Sequence, residues 1–193
     1  MNYLAHAYLS FGHPGVLTGN MISDFVKGKK KFDYPSEVQQ GIELHRAIDQ
    51  YTDTHIATRE AKQVFRTHYR LYSGAFIDVV YDHFLANDET EFTEESLFAF
   101  SRDTYAALDR QEAWMPDRFA HMYPFMKQQN WLFNYRTRWG IKKSMGFSTI
   151  HILKEQITSI IKYFSVTCFV LLVLLNLYYA LTNRYDFSYL VTI

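Results

Sequence analysis

The sequence predicts an all-α protein with a single helical domain. Apolar residues recur three and four positions apart through most of the first 145 residues, and cap signals separate these segments. No stretch of useful length alternates apolar and polar residues as a half-buried strand does. At 193 residues, the chain is long enough to bury a sizeable core in one domain.

Start and stop signals divide the chain into seven helices up to Met145. Pro14 opens the first helix and Gly28 follows its end, while Ser36 and Gln39 have the spacing of a capping box for the second. The remaining helices are predicted over 57–72, over 74–87, from the cap Thr93, from Pro116, and from Asn130 to Met145.

Composition narrows the class of protein. The formal net charge is zero, so composition gives no argument for nucleic-acid binding. The single cysteine, Cys168, excludes an internal disulfide framework and fits a reducing, cytoplasmic location. Residues 1–10 lack a basic segment and carry His6 among apolar residues, so we expect no secretory signal. Lys27 and Lys29–Lys31 form a basic cluster, which is either a solvated helix end or a dock for an acidic partner or a phosphate.

Two of the predicted helices each carry an imidazole and carboxylates that stand about one helical turn apart. These residues are His45, Asp49 and Asp53 on the second helix, and Asp78, Asp82 and His83 on the fourth. Converging carboxylates repel one another unless a cation lies between them. Neutral imidazole together with carboxylate suits a divalent metal that keeps positions open for water. The pattern therefore favours an enzyme over a binding module, and a metal-dependent hydrolase among enzymes.

Two further residues are candidates for the same site. Asn20 and Asp24 are four residues apart, and Asp24 lies among apolar residues, where an unpaired carboxylate is costly. We therefore expect Asp24 to bind the metal, the alternative being a capping or exposed side chain. An isolated histidine near a terminus is usually packed or exposed, so spacing alone does not assign His6 to the metal, and both interpretations stay open. No serine nucleophile elbow, GxGxxG, Walker A or CxxC motif occurs.

The chain changes character after Gly146. Residues 163–183 contain no charged side chain and are long enough to span a bilayer. Two interpretations of this segment are possible, a membrane helix and a buried core helix. We predict a helical domain at 1–146, followed by a divergent apolar tail at 147–193.

Several spaced motifs occur in the first 146 residues: Asn2–His6, Gly19–Gly28, Gly41–Asp53 and Tyr81–Ala86, with Tyr135-Arg136 and Gly140-Ile141 further on. In this order they resemble the motifs of the acyl carrier protein phosphodiesterase family, also called acyl carrier protein hydrolase. The resemblance implies a distorted relative of the HD-domain metal phosphohydrolases. The adjacent pair Asp82-His83 reverses the usual His-Asp order of that fold.

The resemblance implies hydrolysis of the phosphodiester that joins 4′-phosphopantetheine to a serine of holo-acyl carrier protein. It also implies a divalent metal, with Mn²⁺ favoured and Mg²⁺ as a substitute. The implied metal ligands are Asp24, His45, Asp49 and Asp82. His83 and His6 are the implied catalytic groups. Either one would serve as a further metal ligand, orient a water molecule, or protonate the leaving serine oxygen.

Acyl carrier protein is strongly acidic, so the resemblance implies that basic residues dock it. The candidates are Lys27, Lys29, Lys30, Lys31 and Arg46, with Arg59, Arg66 and Arg70 as further ones.

The family pattern would continue after residue 146 with charged amphipathic helices, which the apolar tail replaces. The tail fits either a frameshifted reading frame or a membrane anchor through 163–183 on a cytoplasmic domain. Two other functions remain open: an HD-like phosphohydrolase acting on a small nucleotide or phosphate ester, and an inactive membrane-tethered remnant.

Overall fold

The computed structural model describes residues 2–145. Over this range the chain is helical and forms no strand, which confirms the predicted all-α fold. The α-helices are α1 (Tyr3–Tyr8), α2 (Pro14–Ile22), α3 (Ser36–Thr54), α4 (Ile56–Tyr69), α5 (Ser73–Ala86), α6 (Glu94–Asp109), α7 (Asp117–Gln128), α8 (Trp131–Asn134) and α9 (Arg138–Met145). Short 3-10 helices lie at Ser23–Phe25, Gly28–Asp33, Arg70–Tyr72 and Glu112–Trp114.

Some helix ends differ from the sequence predictions. The predicted capping box at Ser36 is wrong, because Pro35 occupies the cap position and Gln39 donates instead to the Tyr34 carbonyl oxygen at 2.8 Å. The cap at Thr93 is confirmed. Its hydroxyl accepts from the Ser96 N–H at 3.2 Å, and the Ser96 hydroxyl accepts from the Thr93 N–H at 2.9 Å.

The segment from Asn130 forms two helices where one was predicted. Asn130 caps α8 from a left-handed conformation (φ 43°), and this helix ends after a single turn. A second start signal interrupts it, because the Thr137 hydroxyl accepts from the Gly140 N–H at 3.0 Å. A local cap therefore outweighs the continuous helical pattern.

Helices α2 and α3 approach each other more closely than larger side chains would allow. A Cβ atom on Gly19 would collide with the Val38 carbonyl oxygen, and a Cβ atom on Gly41 would collide with the Val16 carbonyl oxygen. Two backbones can meet this closely only where both residues lack a side chain. The contact brings the second half of α2 against the first half of α3.

Most of the buried side chains form one core. It includes Ile42 of α3, Phe65 of α4, Ile77 and Tyr81 of α5, Leu97 and Leu108 of α6, and Phe119 and Met126 of α7. The Tyr81 hydroxyl is buried in this core and is paired with the Thr58 hydroxyl at 2.9 Å. A smaller apolar cluster joins Leu9, Val16, Leu44 and Ile48. Both clusters pack against α3, so this helix is held on more than one side.

The predicted apolar tail and its span at 163–183 lie outside the described residues. Within 2–145, no helix combines the length and the apolar character needed to cross a bilayer. The domain boundary at 146 and the likeness to HD-type phosphohydrolases stay predictions.

Replacement of Gly41 by alanine tests the close approach of α2 and α3. Alanine normally favours a helix by up to about 1 kcal/mol over glycine. Here its Cβ atom would meet the Val16 carbonyl oxygen, so we expect Gly41→Ala to lower the free energy of unfolding by about 1–3 kcal/mol in urea titrations.

Gly74→Ala is the matched control, because a Cβ atom there would meet only the flexible end of Lys62 at 3.6 Å. We expect this variant to be as stable as the wild type or more stable. Equal midpoints for Gly41→Ala and the wild type would show that the helices separate at little cost.

Candidate metal centre

His45 points one ring nitrogen at two carboxylates. It lies one turn before Asp49 on α3, and its Nε2 atom is 3.1 Å from Asp49 Oδ2 and 3.3 Å from Asp24 Oδ1. Its Nδ1 atom lies 2.7 Å from the carbonyl oxygen of Asn20. A carbonyl oxygen only accepts hydrogen bonds, so Nδ1 carries a hydrogen, and Nε2 is the nitrogen that faces the carboxylates and would bind a metal in the neutral ring.

His6, from α1, completes the group. Its ring stacks on that of His45, with centroids 3.9 Å apart and planes 12° apart, and its Nε2 atom lies 3.3 Å from Asp49 Oδ1. Both imidazoles are buried. Three of their ring nitrogens form no hydrogen bond of good geometry with the described part of the chain: both nitrogens of His6, and Nε2 of His45. Buried nitrogen atoms of this kind are costly unless another group satisfies them.

The spacing of these atoms fits a single divalent cation. Among the described residues, His6, His45 and Asp49 each offer one ligand atom, and these atoms lie within 4.8 Å of one another. Metal–ligand distances near 2.1 Å place adjacent ligands about 3 Å apart, close to the 3.1 and 3.3 Å observed. Asp24 approaches the same His45 nitrogen from the exposed side. Two imidazoles and two carboxylates therefore surround one point, whereas the predicted ligand set was Asp24, His45, Asp49 and Asp82.

The pKa values show how strongly these groups interact. Burial lowers the pKa of His6 to about 4, against the opposing effect of Asp49. Burial also acts to lower the pKa of His45, but Asp24 and Asp49 outweigh it and raise the value to about 9. His45 in turn lowers the pKa of Asp24. Against the effect of burial, His45 and His6 hold the pKa of Asp49 well below its usual range, so both carboxylates are ionised near neutral pH and attract positive charge.

Buried hydrogen bonds hold α1, and with it His6, in place. Asp82 of α5 accepts from the backbone N–H of Leu4 at 2.8 Å and from that of Ala5 at 3.1 Å. The side-chain amide of Asn20 donates to the His6 carbonyl oxygen at 2.8 Å. The Ser10 hydroxyl donates to the same oxygen at 2.7 Å. A carboxylate at the first turn of a helix satisfies N–H groups that have no partner within the helix.

The structure separates some of the sequence-predicted site residues from this group. Asp82, a predicted metal ligand, lies outside it, because both of its oxygens accept hydrogen bonds from α1. His83 points elsewhere, with its Nδ1 atom 2.7 Å from the Tyr135 carbonyl oxygen, and its catalytic role stays a prediction. Asp53 and Asp78 also lie outside the group. Asp53 pairs with Lys62 at 2.8 Å. Burial raises the pKa of the Asp78 carboxyl group.

A shallow pocket of about 380 Å³ opens beside the histidines. Its lining includes Asp24, His45 and Asp49, together with Lys27 and Arg46 from the predicted docking set. The Arg46 guanidinium also donates to the Val26 carbonyl oxygen at 3.0 Å, and this hydrogen bond holds the segment after α2 against α3. The pocket therefore combines carboxylates for a cation with basic groups for an anion.

The rest of the predicted docking set extends from this pocket along the 3-10 helix at 28–33. Lys29 and Lys30 are exposed, whereas Lys31 pairs with Glu43 of α3 at 2.9 Å. Residue spacing could not reveal the stacking of His6 on His45, because the two residues are 39 positions apart in the chain. The signal that singled out His6 was its place in the Asn2–His6 motif.

Fold and site together define an all-α protein with a buried pair of histidines and two carboxylates suited to a divalent metal. The family model described as acyl carrier protein phosphodiesterase matches residues 1–164. The chain therefore belongs to the acyl carrier protein phosphodiesterase family, which is named for an enzyme activity.

Individual relatives agree with this assignment. The acyl carrier protein phosphodiesterase of Photorhabdus laumondii subsp. laumondii is 34% identical over 136 residues, which cover 70% of this chain and 69% of the relative. The protein of the same name from Salmonella agona is 35% identical over 137 residues, which cover 70% and 71%. No solved structure matches the chain.

Replacement of Asp82 by alanine tests its role in holding α1. The variant leaves the buried N–H groups of Leu4 and Ala5 without their acceptor, so we expect the free energy of unfolding to fall by about 2–4 kcal/mol. Because His6 follows these residues, the Mn²⁺ affinity should also fall, by about tenfold or more, in isothermal titration. Asp82→Asn keeps one acceptor oxygen, so its free energy of unfolding and its Mn²⁺ affinity should both fall less than those of Asp82→Ala. An Asp82→Ala variant of wild-type stability would contradict this role.

The pH dependence of stability gives a second check on Asp82. Burial raises the pKa of its carboxyl group to about 7, although the two backbone N–H groups oppose this. The unfolded value is about 4, so the protonated group favours the folded state, and this contribution is lost as pH rises from about 4 to 7. Relative to Asp82→Asn, the wild type should lose stability across that window in metal-free buffer. A constant difference would contradict the burial of an ionisable group.

Proposed function

We propose that this protein is a metal-dependent phosphodiester hydrolase that removes 4′-phosphopantetheine from holo-acyl carrier protein. The observation that carries the proposal is the convergence of His6, His45 and Asp49 on one point, with Asp24 on its exposed side. Family membership supports the substrate, because the relatives are named for activity on acyl carrier protein.

The four residues would hold Mn²⁺, with Mg²⁺ as a substitute. Imidazole and carboxylate are ligands that Mn²⁺ accepts, and Mg²⁺ takes the carboxylates more readily than the imidazoles. When bound, a divalent cation neutralises charge on the phosphodiester and lowers the pKa of a nearby water molecule. The Asn20 carbonyl oxygen contributes indirectly, because its hydrogen bond fixes the His45 tautomer that leaves Nε2 free to bind.

The reaction adds water across one phosphorus–oxygen bond. The water oxygen bonds to phosphorus, the bond from phosphorus to the serine oxygen breaks, and the serine oxygen takes up a proton. The products are apo-acyl carrier protein and free 4′-phosphopantetheine. Lys27 and Arg46 line the pocket beside the carboxylates, where their charges face a bound phosphate.

The placement of the site suits a phosphodiester on the surface of another protein. The histidines are buried, but Asp24, Lys27 and Arg46 are exposed at the mouth of the pocket. A serine-linked phosphate can therefore reach the site without entering a deep cavity. The exposed Lys29 and Lys30 extend the positive surface next to this mouth and would face an acidic protein.

Intact-mass analysis of holo-acyl carrier protein incubated with this chain and Mn²⁺ tests the proposal. We expect loss of the phosphopantetheine mass, with no loss in the presence of a chelator. Asp24→Ala removes the exposed carboxylate and should lower the rate at least about 100-fold. Asp53→Ala, one turn beyond Asp49 and paired with Lys62, is the matched control and should retain most of the activity.

Other outcomes would overturn the proposal. An unchanged carrier protein after incubation with the folded, Mn²⁺-loaded chain would exclude the reaction. Hydrolysis of a small phosphodiester such as bis(p-nitrophenyl) phosphate, without action on holo-acyl carrier protein, would assign the site to small substrates. Equal rates for Asp24→Ala and the wild type would show that Asp24 is not a metal ligand needed for the reaction.

A further inference from the structure

A second basic surface lies between α4 and the beginning of α5. It is an open cleft of about 680 Å³, here called the α4 cleft, and it is separate from the pocket of the metal centre. Its lining consists of Arg59, Lys62, Gln63, Arg66, Arg70, Leu71, Ser73 and Gly74. The basic residues are spaced by three and four positions, so they share one face of α4 and its C-terminal end.

The arginines of the α4 cleft are available to a partner. Arg59, Arg66 and Arg70 are exposed, and none of them forms an ion pair with a described residue. Lys62 is half-buried and pairs with Asp53 at 2.8 Å. No carboxylate is among the described residues that line the cleft. Like charges gathered on one exposed face repel one another, and an acidic partner would relieve that repulsion.

Apolar side chains stand at the rim of the cleft. Leu71 follows Arg70 (φ 42°), lines the cleft and is 96% exposed, and the next residue, Tyr72, is 71% exposed. Apolar groups exposed to this degree beside basic ones are typical of a surface that binds protein. A small anion would use the arginines alone, so the rim favours an acidic protein surface that also carries apolar residues.

The cleft is connected to the metal centre through α3. Asp53, the partner of Lys62, lies one turn after Asp49, a distance of about 6 Å along the helix. On the other side, Glu43 pairs with Lys31 of the basic 3-10 helix, just before His45. The metal centre therefore lies on α3 between two basic surfaces.

We propose that the α4 cleft docks the acidic surface of acyl carrier protein while its phosphodiester occupies the metal centre. This inference rests on the proposed function for the identity of the partner. The carrier protein then contacts the enzyme on both sides of the reacting serine: at the exposed lysines near the pocket, and at Arg59 and Arg66 in the α4 cleft. Two separate contacts orient the phosphodiester more strictly than one would.

Fluorescence anisotropy with labelled apo-acyl carrier protein and the full chain tests this inference. Apo-protein carries no phosphodiester, so the affinity does not depend on turnover. The charge-reversal variant Arg59→Glu/Arg66→Glu should weaken binding about tenfold or more, and its affinity should depend less on salt concentration. The matched control is Arg110→Glu/Arg118→Glu, two exposed arginines outside both the pocket and the cleft. Its affinity should equal that of the wild type.

The outcomes separate the docking surface from the reaction. Equal affinity for Arg59→Glu/Arg66→Glu and the wild type, with circular dichroism showing both folded, overturns the docking inference and leaves the hydrolase proposal standing. A wild type that binds through these arginines but does not hydrolyse the holo-protein overturns only the proposed function. Failure of the wild type to bind overturns the docking inference, and the mass assay on the holo-protein decides the proposed function separately. Loss of a dimer in sedimentation velocity, with carrier binding unchanged, assigns the cleft to self-association instead.

Discussion

The contact between Gly19 and Gly41 is the constraint on which the site depends. Because neither residue has a side chain, the backbones of α2 and α3 meet directly. That approach brings the Asn20 carbonyl oxygen within 2.7 Å of His45 Nδ1, and it leads the chain after α2 back so that Asp24 reaches Nε2. One backbone contact thus sets both the tautomer of a histidine and the position of a carboxylate. A larger side chain at either glycine would move all of these atoms together.

The second constraint is the buried carboxylate of Asp82. A fully buried carboxylate is costly, and here two N–H groups at the start of α1 offset part of that cost. The arrangement holds a helix of six residues that would be unstable alone. His6 is therefore positioned by α5, through Asp82, and by α2, through Asn20. The candidate metal centre combines residues from elements far apart in sequence, and buried polar contacts between helices link them.

The sequence predicts the parts of this structure that depend on local spacing. The step from His45 to Asp49 follows from helical periodicity, and the cap at Thr93 follows from residue type. Asp82 shows why local pattern is insufficient: a buried carboxylate that caps a helix and one that binds a metal look the same in sequence. The partners that distinguish them lie 77 and 78 positions away. The stacking of His6 on His45 is equally non-local, which is why spacing left its role open.

Pulsed electron paramagnetic resonance of the Mn²⁺-loaded protein tests the central claim most directly, because it detects imidazole nitrogen bound to the metal. We expect couplings from two imidazoles in the wild type and from one in His6→Gln. His83→Gln should retain both, since His83 is directed at the Tyr135 carbonyl oxygen. Unchanged couplings in His6→Gln, or loss of a coupling in His83→Gln, would contradict the assignment of His6 and His45 as the histidines of the metal centre.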